Sequence, residues 1–268
     1  MDHLDELINK SIYIIRESYA QYKKPASLWS VGKDSTALLW LFKKAFFGKI
    51  PFPVIHIDTG YKFPEMYAFR DKLVKEWGLK LIVAQNKKAI EQGMGPDKGR
   101  FKCCTTLKTD ALKECIKKYG FDALFLAIRR DEHGIRAKER VFSPRDNRFQ
   151  WNYKNQPPEM WNIFRKAEDA MHIRVHPILH WTELDIWEFI KRENIPTNPL
   201  YFANFKYPGK RYRSLGCVPC TNPVESHADT IDKIVEELKT TKIAERSGRC
   251  QDKEKSYMMQ KLRALGYM

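Results

Sequence analysis

The run ASLWSVGKDSTALLWLFKKAFF, residues 26–47, decides the fold class. A short apolar strand, Ala26 to Trp29, enters the polar loop Ser30-Val31-Gly32-Lys33-Asp34-Ser35-Thr36 and leaves it as an apolar helix. Consecutive backbone N–H groups freed by Gly32 and followed by a helix N-terminus form a positively polarised nest for phosphate. The Lys33 ammonium and the Ser35 and Thr36 hydroxyls add donors to it.

Strands and helices alternate outward from this loop. Pro53 to Ile57 reads as a second strand ending at Asp58-Thr59-Gly60, and a helix from Pro64 to Trp77 leads to a third strand at Lys80 to Ala84. A helix from Thr106 to Tyr119 precedes a strand at Ala123 to Ile128, and a last strand is expected at Ile173 to Val175. Helices are also expected over 4–22, from Thr182 as N-cap to Arg192, and over 230–240. This alternation implies right-handed crossovers, a mostly parallel sheet, and ligands at the carboxyl ends of its strands. The expectation is an α/β nucleotide-binding domain over 1–195, with a basic loop, a CxxC and a helical tail over 196–268 packed on it.

The chain has 268 residues, 43% of them hydrophobic and 13% aromatic, enough for a packed core and too many for intrinsic disorder. The N-terminus lacks the pattern of a signal peptide, and no apolar run approaches the roughly 18 residues that span a bilayer. A cytoplasmic protein without a membrane segment is expected, its six cysteines serving as thiols, metal ligands or catalytic groups rather than disulfides. With 48 Lys and Arg against 33 Asp and Glu the formal charge is +15, which suits a solvated basic surface, a polyanion or small phosphorylated or sulfated substrates.

The loop after the first strand lacks the Walker GxxxxGK[ST] spacing, which disfavours an ordinary γ-phosphate-cleaving ATPase. It resembles the SGGxDS loop of the ATP pyrophosphatases, with Val31 in the place of the first Gly. HIDTGYKFPEMYAFRD (56–71), GIRAKERVFSPRD (134–146), KNQPPEMW (154–161), HWTELDIWEFI (180–190), RYRSLGC (211–217) and AERSGR (244–249) extend the likeness over nearly the whole chain. They resemble the small, nucleotide-binding subunit of sulfate adenylyltransferase, within the phosphoadenylyl sulfate reductase superfamily. The resemblance implies an adenine-nucleotide α-hydrolase-like fold with ATP across the strand ends. It puts Ser30, Gly32, Lys33, Asp34 and Ser35 around the phosphates, Asp58, Thr59 and Gly60 near the nucleotide, and Arg129 and Arg130 toward the transferred group. Cations at strand ends would stabilise charge building on an attacked α-phosphate and on departing pyrophosphate. Mg²⁺ would bridge the phosphates, with Asp34 as candidate ligand. Lys33, Asp34, Arg129 and Arg130 are therefore the expected catalytic residues.

Cys103-Cys104 and Cys217-Val218-Pro219-Cys220 depart from what sulfate activation needs, because adenylylating sulfate involves no redox step. Four thiolates supplied as CC and CxxC suit a tetrahedral zinc or a 4Fe-4S cluster. With Leu107-Lys108-Thr109 following, the set is similar to the cluster-binding pattern of adenylyl sulfate reductases and of ATP pyrophosphatases that insert sulfur into nucleic acids. Cys115 reads as a core residue, and Cys250, beside Arg249, is a candidate activated thiolate that lacks the reductases' ECGxH-type tail. His172, His176 and His180 flank a strand and a proline and read as structural.

Basic residues concentrate at 129–148 and again at Lys206, Lys210, Arg211 and Arg213, the latter interleaved with Tyr207 and Tyr212, as a nucleic-acid backbone and unstacked bases would require. The alternative for these clusters is contact with nucleotide, sulfate or a partner. Thiols and charge together favour an ATP pyrophosphatase, cleaving between the α and β phosphates, that activates nucleic acid for sulfur insertion, as in DNA phosphorothioation, with a cysteine desulfurase as sulfur donor. The alternatives are the sulfate adenylyltransferase small subunit with a GTPase partner, and an adenylyl or phosphoadenylyl sulfate reductase. From another class, a non-catalytic ATP sensor is disfavoured by the intact Lys33, Asp34 and Asp58. Homo-oligomerisation is left open.

Overall fold

The computed structural model describes residues 1–268 except 157, 162, 165–169, 250–260, 263, 264 and 266–268. Six strands form one sheet: β1 (Pro25–Leu28), β2 (Val54–Ile57), β3 (Leu81–Ala84), β4 (Ala123–Phe125), β5 (Phe142–Arg145) and β6 (His172–Val175). Their order is β3-β2-β1-β4-β6-β5, every pair parallel except β5 against β6. Every residue of β1, β2 and β4 is buried, as a parallel sheet covered on both faces demands. Because β2 and β4 lie on opposite sides of β1, the chain reverses direction there and opens a crevice at the strand ends.

The long helices are α1 (His3–Gln21), α2 (Lys33–Ala45), α3 (Pro64–Trp77), α6 (Ala111–Tyr119), α7 (Glu183–Glu193) and α8 (Ile231–Thr240), with short turns α4 (Lys87–Glu91) and α5 (Arg100–Cys104). The sequence punctuates several of them. Pro64 opens α3 and Gly78 closes it in the left-handed conformation, while Thr182 and Asp185 form a reciprocal capping box on α7. The apolar face of α2 packs on the sheet through Phe42, whose ring stands edge-on to Phe52, and Phe52 stacks on Phe125 of β4. Among the described residues no helix is long and apolar enough to cross a membrane.

Three local expectations change. The strand expected at Ala123 to Ile128 ends at Phe125, because the chain leaves the sheet there to line the crevice. Phe142–Arg145 is an additional strand that Pro144 hides in the sequence; Pro is tolerated because β5 is the sheet's edge and pairs with β6 alone. The helix expected from Thr106 starts at Arg100 and runs through a π-helical turn, Thr105–Asp110, into α6, so Cys103 and Cys104 lie inside it rather than before it.

Candidate nucleotide site

The crevice at the β1, β2 and β4 ends is a cleft of about 150 Å³. Leu28, Ile55, Ile57, Leu126 and Ile128 make an apolar floor, and Ser30, Gly32, Lys33, Asp34 and Ser35 form one wall. Val31 takes the left-handed turn itself, at φ 66°, although a β-branched side chain disfavours it. The turn that Gly allows in the related loop therefore forms here with a buried Val. Gly32 caps α2, and a Cβ there would press at 3.3 Å on both Ser30 Oγ and the Tyr201 hydroxyl. That hydroxyl accepts a hydrogen bond from the Lys33 backbone N–H at 2.8 Å. Thr36 does not serve the loop: its hydroxyl turns inward and accepts from the Trp29 indole.

Lys33 is buried and surrounded by acids. Its Nζ contacts Glu245, lies 3.2 Å from Asp34 and 3.9 Å from Glu183. Arg129, fully buried behind it, donates to Asp34 at 2.7 Å, to Asp131 at 2.5 Å and to Glu245. Glu183, at the first turn of α7, is held in turn by Arg213 at 2.7 Å. Burial alone would lower the pKa of Lys33 and Arg129, but these carboxylates outweigh it and raise both. Burial would likewise raise the Glu245 pKa, and Arg129 and Lys33 hold it far below the usual carboxylate range. All three side chains are ionised at neutral pH.

The other expected residues stand apart from this wall. The Asp58 carboxylate accepts from the Gly60 N–H, the Tyr67 hydroxyl and Gln85, shaping the loop after β2 without lining the cleft. Thr59 turns to Cys217, 3.2 Å from Oγ1 to Sγ. Arg130 points away, its guanidinium 2.9 Å from His180 Nδ1 and bonded to the Glu139 carbonyl.

The opposite wall comes from Arg136 of the basic 129–148 cluster and from residues given no binding role in the sequence: Lys62, Gly216, Arg246 and, beside the expected cysteines, Lys108 and Arg249. The 3₁₀ turn Glu245–Gly248 carries Glu245 to Lys33 and places Arg246 and Arg249 on the cleft. Gly216 lets this segment approach, since a Cβ there would collide with the Arg249 guanidinium. Lys62, Arg136 and Gly216 lie in the quoted stretches 56–71, 134–146 and 211–217, and Arg246 and Arg249 in AERSGR, but only the basic 129–148 cluster, through Arg136, had been read as meeting a ligand.

Cys103, Cys104, Cys217 and Cys220 are all buried and share one electrostatic neighbourhood. Burial and the other thiols push Cys103 up to about 12. Cys217 moves the opposite way: burial would raise it, but Lys108, Lys62 and Arg249 lower it to about 7. Lys62 is itself lowered to about 8, by burial and by Lys108 and Arg249. Among the described residues no group of three or more His, Cys, Asp or Glu side chains could hold a metal ion. Cys115 packs in the core as expected, and Cys250 lies outside the described residues.

The basic stretch expected to meet nucleic acid is paired internally. Lys206 meets Glu65 at 2.8 Å, Lys210 meets Glu225 at 2.9 Å, Arg211 meets Glu237 at 2.8 Å and Arg213 meets Glu183. Arg211, Arg213 and Tyr212 are buried. In the 129–148 cluster Arg129, Arg136 and Arg145 are likewise buried against acids. Glu65, Glu237, Glu183 and, for Arg129, Glu245 come from distant segments, whereas Asp131, Glu132 and Glu139 lie within a few residues of the arginines they meet.

Residues 24–223 match the phosphoadenosine phosphosulfate reductase domain family. Sulfate adenylyltransferase subunit 2 of Marinomonas sp. (strain MWYL1) is 45% identical over 100% of this chain and 98% of its own length. The protein of the same name from Shewanella oneidensis is 43% identical with the same coverage. The chain belongs to this family. Within it, sulfate adenylyltransferase subunit 2 is the branch it resembles over its full length, and it is an adenylyl-transferring enzyme of sulfur metabolism. The fold recurs in phosphoadenylyl-sulfate reductase from Candida auris, with TM-score 0.57 and 16% identity over 84% of this chain and 97% of that one. It recurs also in FMN adenylyltransferase from Candida glabrata, with TM-score 0.58 and 19% identity over 82% of this chain and 63% of that one. The architecture is thus adenine-nucleotide α-hydrolase-like, as expected. The relatives favour sulfate activation over the nucleic-acid acceptor that thiols and charge had suggested.

Proposed function

We propose that this chain transfers the adenylyl group of ATP to sulfate, as the catalytic small subunit of a sulfate adenylyltransferase working with a GTPase partner subunit. The observation that carries the reading is the β1–α2 corner, where Lys33 and the α2 N-terminus face an apolar floor at the strand ends. Adenine would lie on the floor and the phosphates on the corner. A sulfate oxygen attacks the α-phosphorus, the new P–O bond forms as the bond to the β-phosphate oxygen breaks, and pyrophosphate leaves. No oxidation state changes. Lys33 and the loop N–H groups would meet charge on the phosphates, and Arg129 would hold Asp34 and Lys33 in place behind them.

Mg²⁺ would arrive with the triphosphate. Asp34 suits it, because its carboxylate lines the cleft from the first turn of α2; the ion would neutralise charge on the phosphates. The four thiols are the chemistry a 4Fe-4S cluster takes, yet as arranged they form no metal-holding group among the described residues, and no step runs through them.

The test is pyrophosphate release from ATP and Mg²⁺ by the full chain with its GTPase subunit, comparing sulfate with duplex DNA as acceptor. Sulfate-dependent release supports the reading. DNA-dependent release, with about four irons and acid-labile sulfides per chain after anaerobic purification, would replace it with nucleic-acid sulfur insertion.

A further inference from the structure

Two buried cations meet the same two carboxylates at the heart of the site. Asp34 touches Lys33 through Oδ2 and Arg129 through Oδ1, and Glu245 touches Lys33 through Oε1 and Arg129 through Oε2. Each carboxylate thus bridges the pair as two oxygens of one phosphate group would. Their anchorage differs. Asp34 is fixed in the first turn of the thirteen-residue α2, whereas Glu245 sits on a single 3₁₀ turn. That turn is held to its surroundings by the Asn222 N–H to the Gly248 carbonyl, by Arg246 to Glu132 at 2.9 Å, and by Arg249 to Thr221 at 3.2 Å. Arg246 and Arg249, on the same segment, wall a cleft of about 150 Å³, well under the roughly 300 Å³ at which small-ligand pockets begin.

We propose that Glu245 is a resident anion that holds Lys33 and Arg129 aligned before nucleotide arrives and yields Lys33, the member of the pair that lines the cleft, to its phosphates, releasing the 244–249 segment to widen the cleft. Without Glu245, Lys33 keeps only Asp34 and the more distant Glu183, and Arg129 keeps Asp34 and Asp131, so an anion in the place of Glu245 restores a partner that burial makes costly to lose. Phosphate oxygens and the Glu245 carboxylate cannot share Lys33 without like-charge repulsion in a dry site. Of the two bridging carboxylates, the one on the short turn is the one that can leave. Glu245 is therefore a positioning residue, and its displacement couples phosphate binding to the opening of the wall. The inference rests on the ATP reading above.

Calorimetric titration of the full chain with inorganic pyrophosphate, wild type against Glu245→Gln, tests it. The variant keeps the shape and loses the competing charge, so pyrophosphate should bind at least roughly ten-fold more tightly. KM for ATP should fall while kcat does not rise. Equal or weaker binding overturns the proposal. Should the variant not fold, hydrogen exchange on the wild type decides: saturating pyrophosphate should speed exchange of the Asn222, Ser247 and Arg249 amides, and unchanged or slower exchange overturns it. Wild-type protein that binds ATP but fails these tests leaves the functional reading standing; protein that binds neither ATP nor pyrophosphate brings down both.

Discussion

At the β1–α2 corner Lys33 and Arg129 are each met by carboxylates, whereas across the cleft Lys62, Lys108 and Arg249 lower the pKa of the Cys217 thiol. Burial acts on both groups, but its outcome depends on the neighbours. Carboxylates raise the lysine at the corner and keep it charged at any working pH, while burial, helped by Lys108 and Arg249, brings Lys62 down to about 8, within reach of neutral pH. One wall is a permanent electrostatic fixture. The other changes charge over a narrow range.

Lys33→Ala would break the corner. Pyrophosphate release should fall by about 10²–10³-fold or more, the loss seen when a single transition-state charge stabiliser is removed. Glu245 and Glu183 would also lose a buried counter-charge, so urea unfolding should show a clear loss of stability in the same variant. Unchanged turnover would remove the corner from the reaction.

Arg213→Met separates support from chemistry, because Arg213 touches Glu183 and the Ile243 carbonyl rather than the cleft. Leaving Glu183 beside Glu245 with only Lys33, 3.9 Å away, as counter-charge should cost about 3 kcal/mol, or roughly 10 °C in Tm. A Tm within a degree of wild type would mean that the corner does not depend on its outer ion pair.

The thiol wall is sharpened by pH. Lys62 has a folded pKa below its ordinary value, so its positive charge is present at pH 7 and is lost as pH rises through about 8. Cys217, becoming thiolate around 7, acts in the same direction. Pyrophosphate affinity should therefore fall by roughly ten-fold between pH 6.5 and 8.5, and Lys62→Arg should flatten the upper part of that fall. A flat wild-type profile would mean that this wall does not meet the anion.

The smallest effect is expected at Val31. Val31→Gly relieves a left-handed β-branched residue, worth roughly 1–2 kcal/mol, and gives up a similar amount of apolar burial. The net should lie within about 1 kcal/mol, or some 3 °C in Tm by thermal melting. A much larger shift in either direction would show that strain or packing dominates the loop.

Residues 26–47 already carried the phosphate loop and the parallel alternation, because a nest needs a strand end, Gly32 and a helix start within a few residues. The capping box of α7 and the left-handed stop of α3 were legible for the same reason: each is made by residues three or four apart. Strand β5 was not, since only its place at the sheet edge makes Pro144 acceptable. Nor was the fate of the charge. The sequence by itself determined the excess of fifteen positive charges and the local chemistry of the loop. Tertiary structure alone decided that Lys206, Lys210, Arg211 and Arg213 are neutralised by Glu65, Glu225, Glu237 and Glu183, and that Glu245 lies on Lys33 from 212 residues away. Ion pairing falls off with distance in space and is indifferent to distance along the chain, so folding must bring the partners together before any charge has a role.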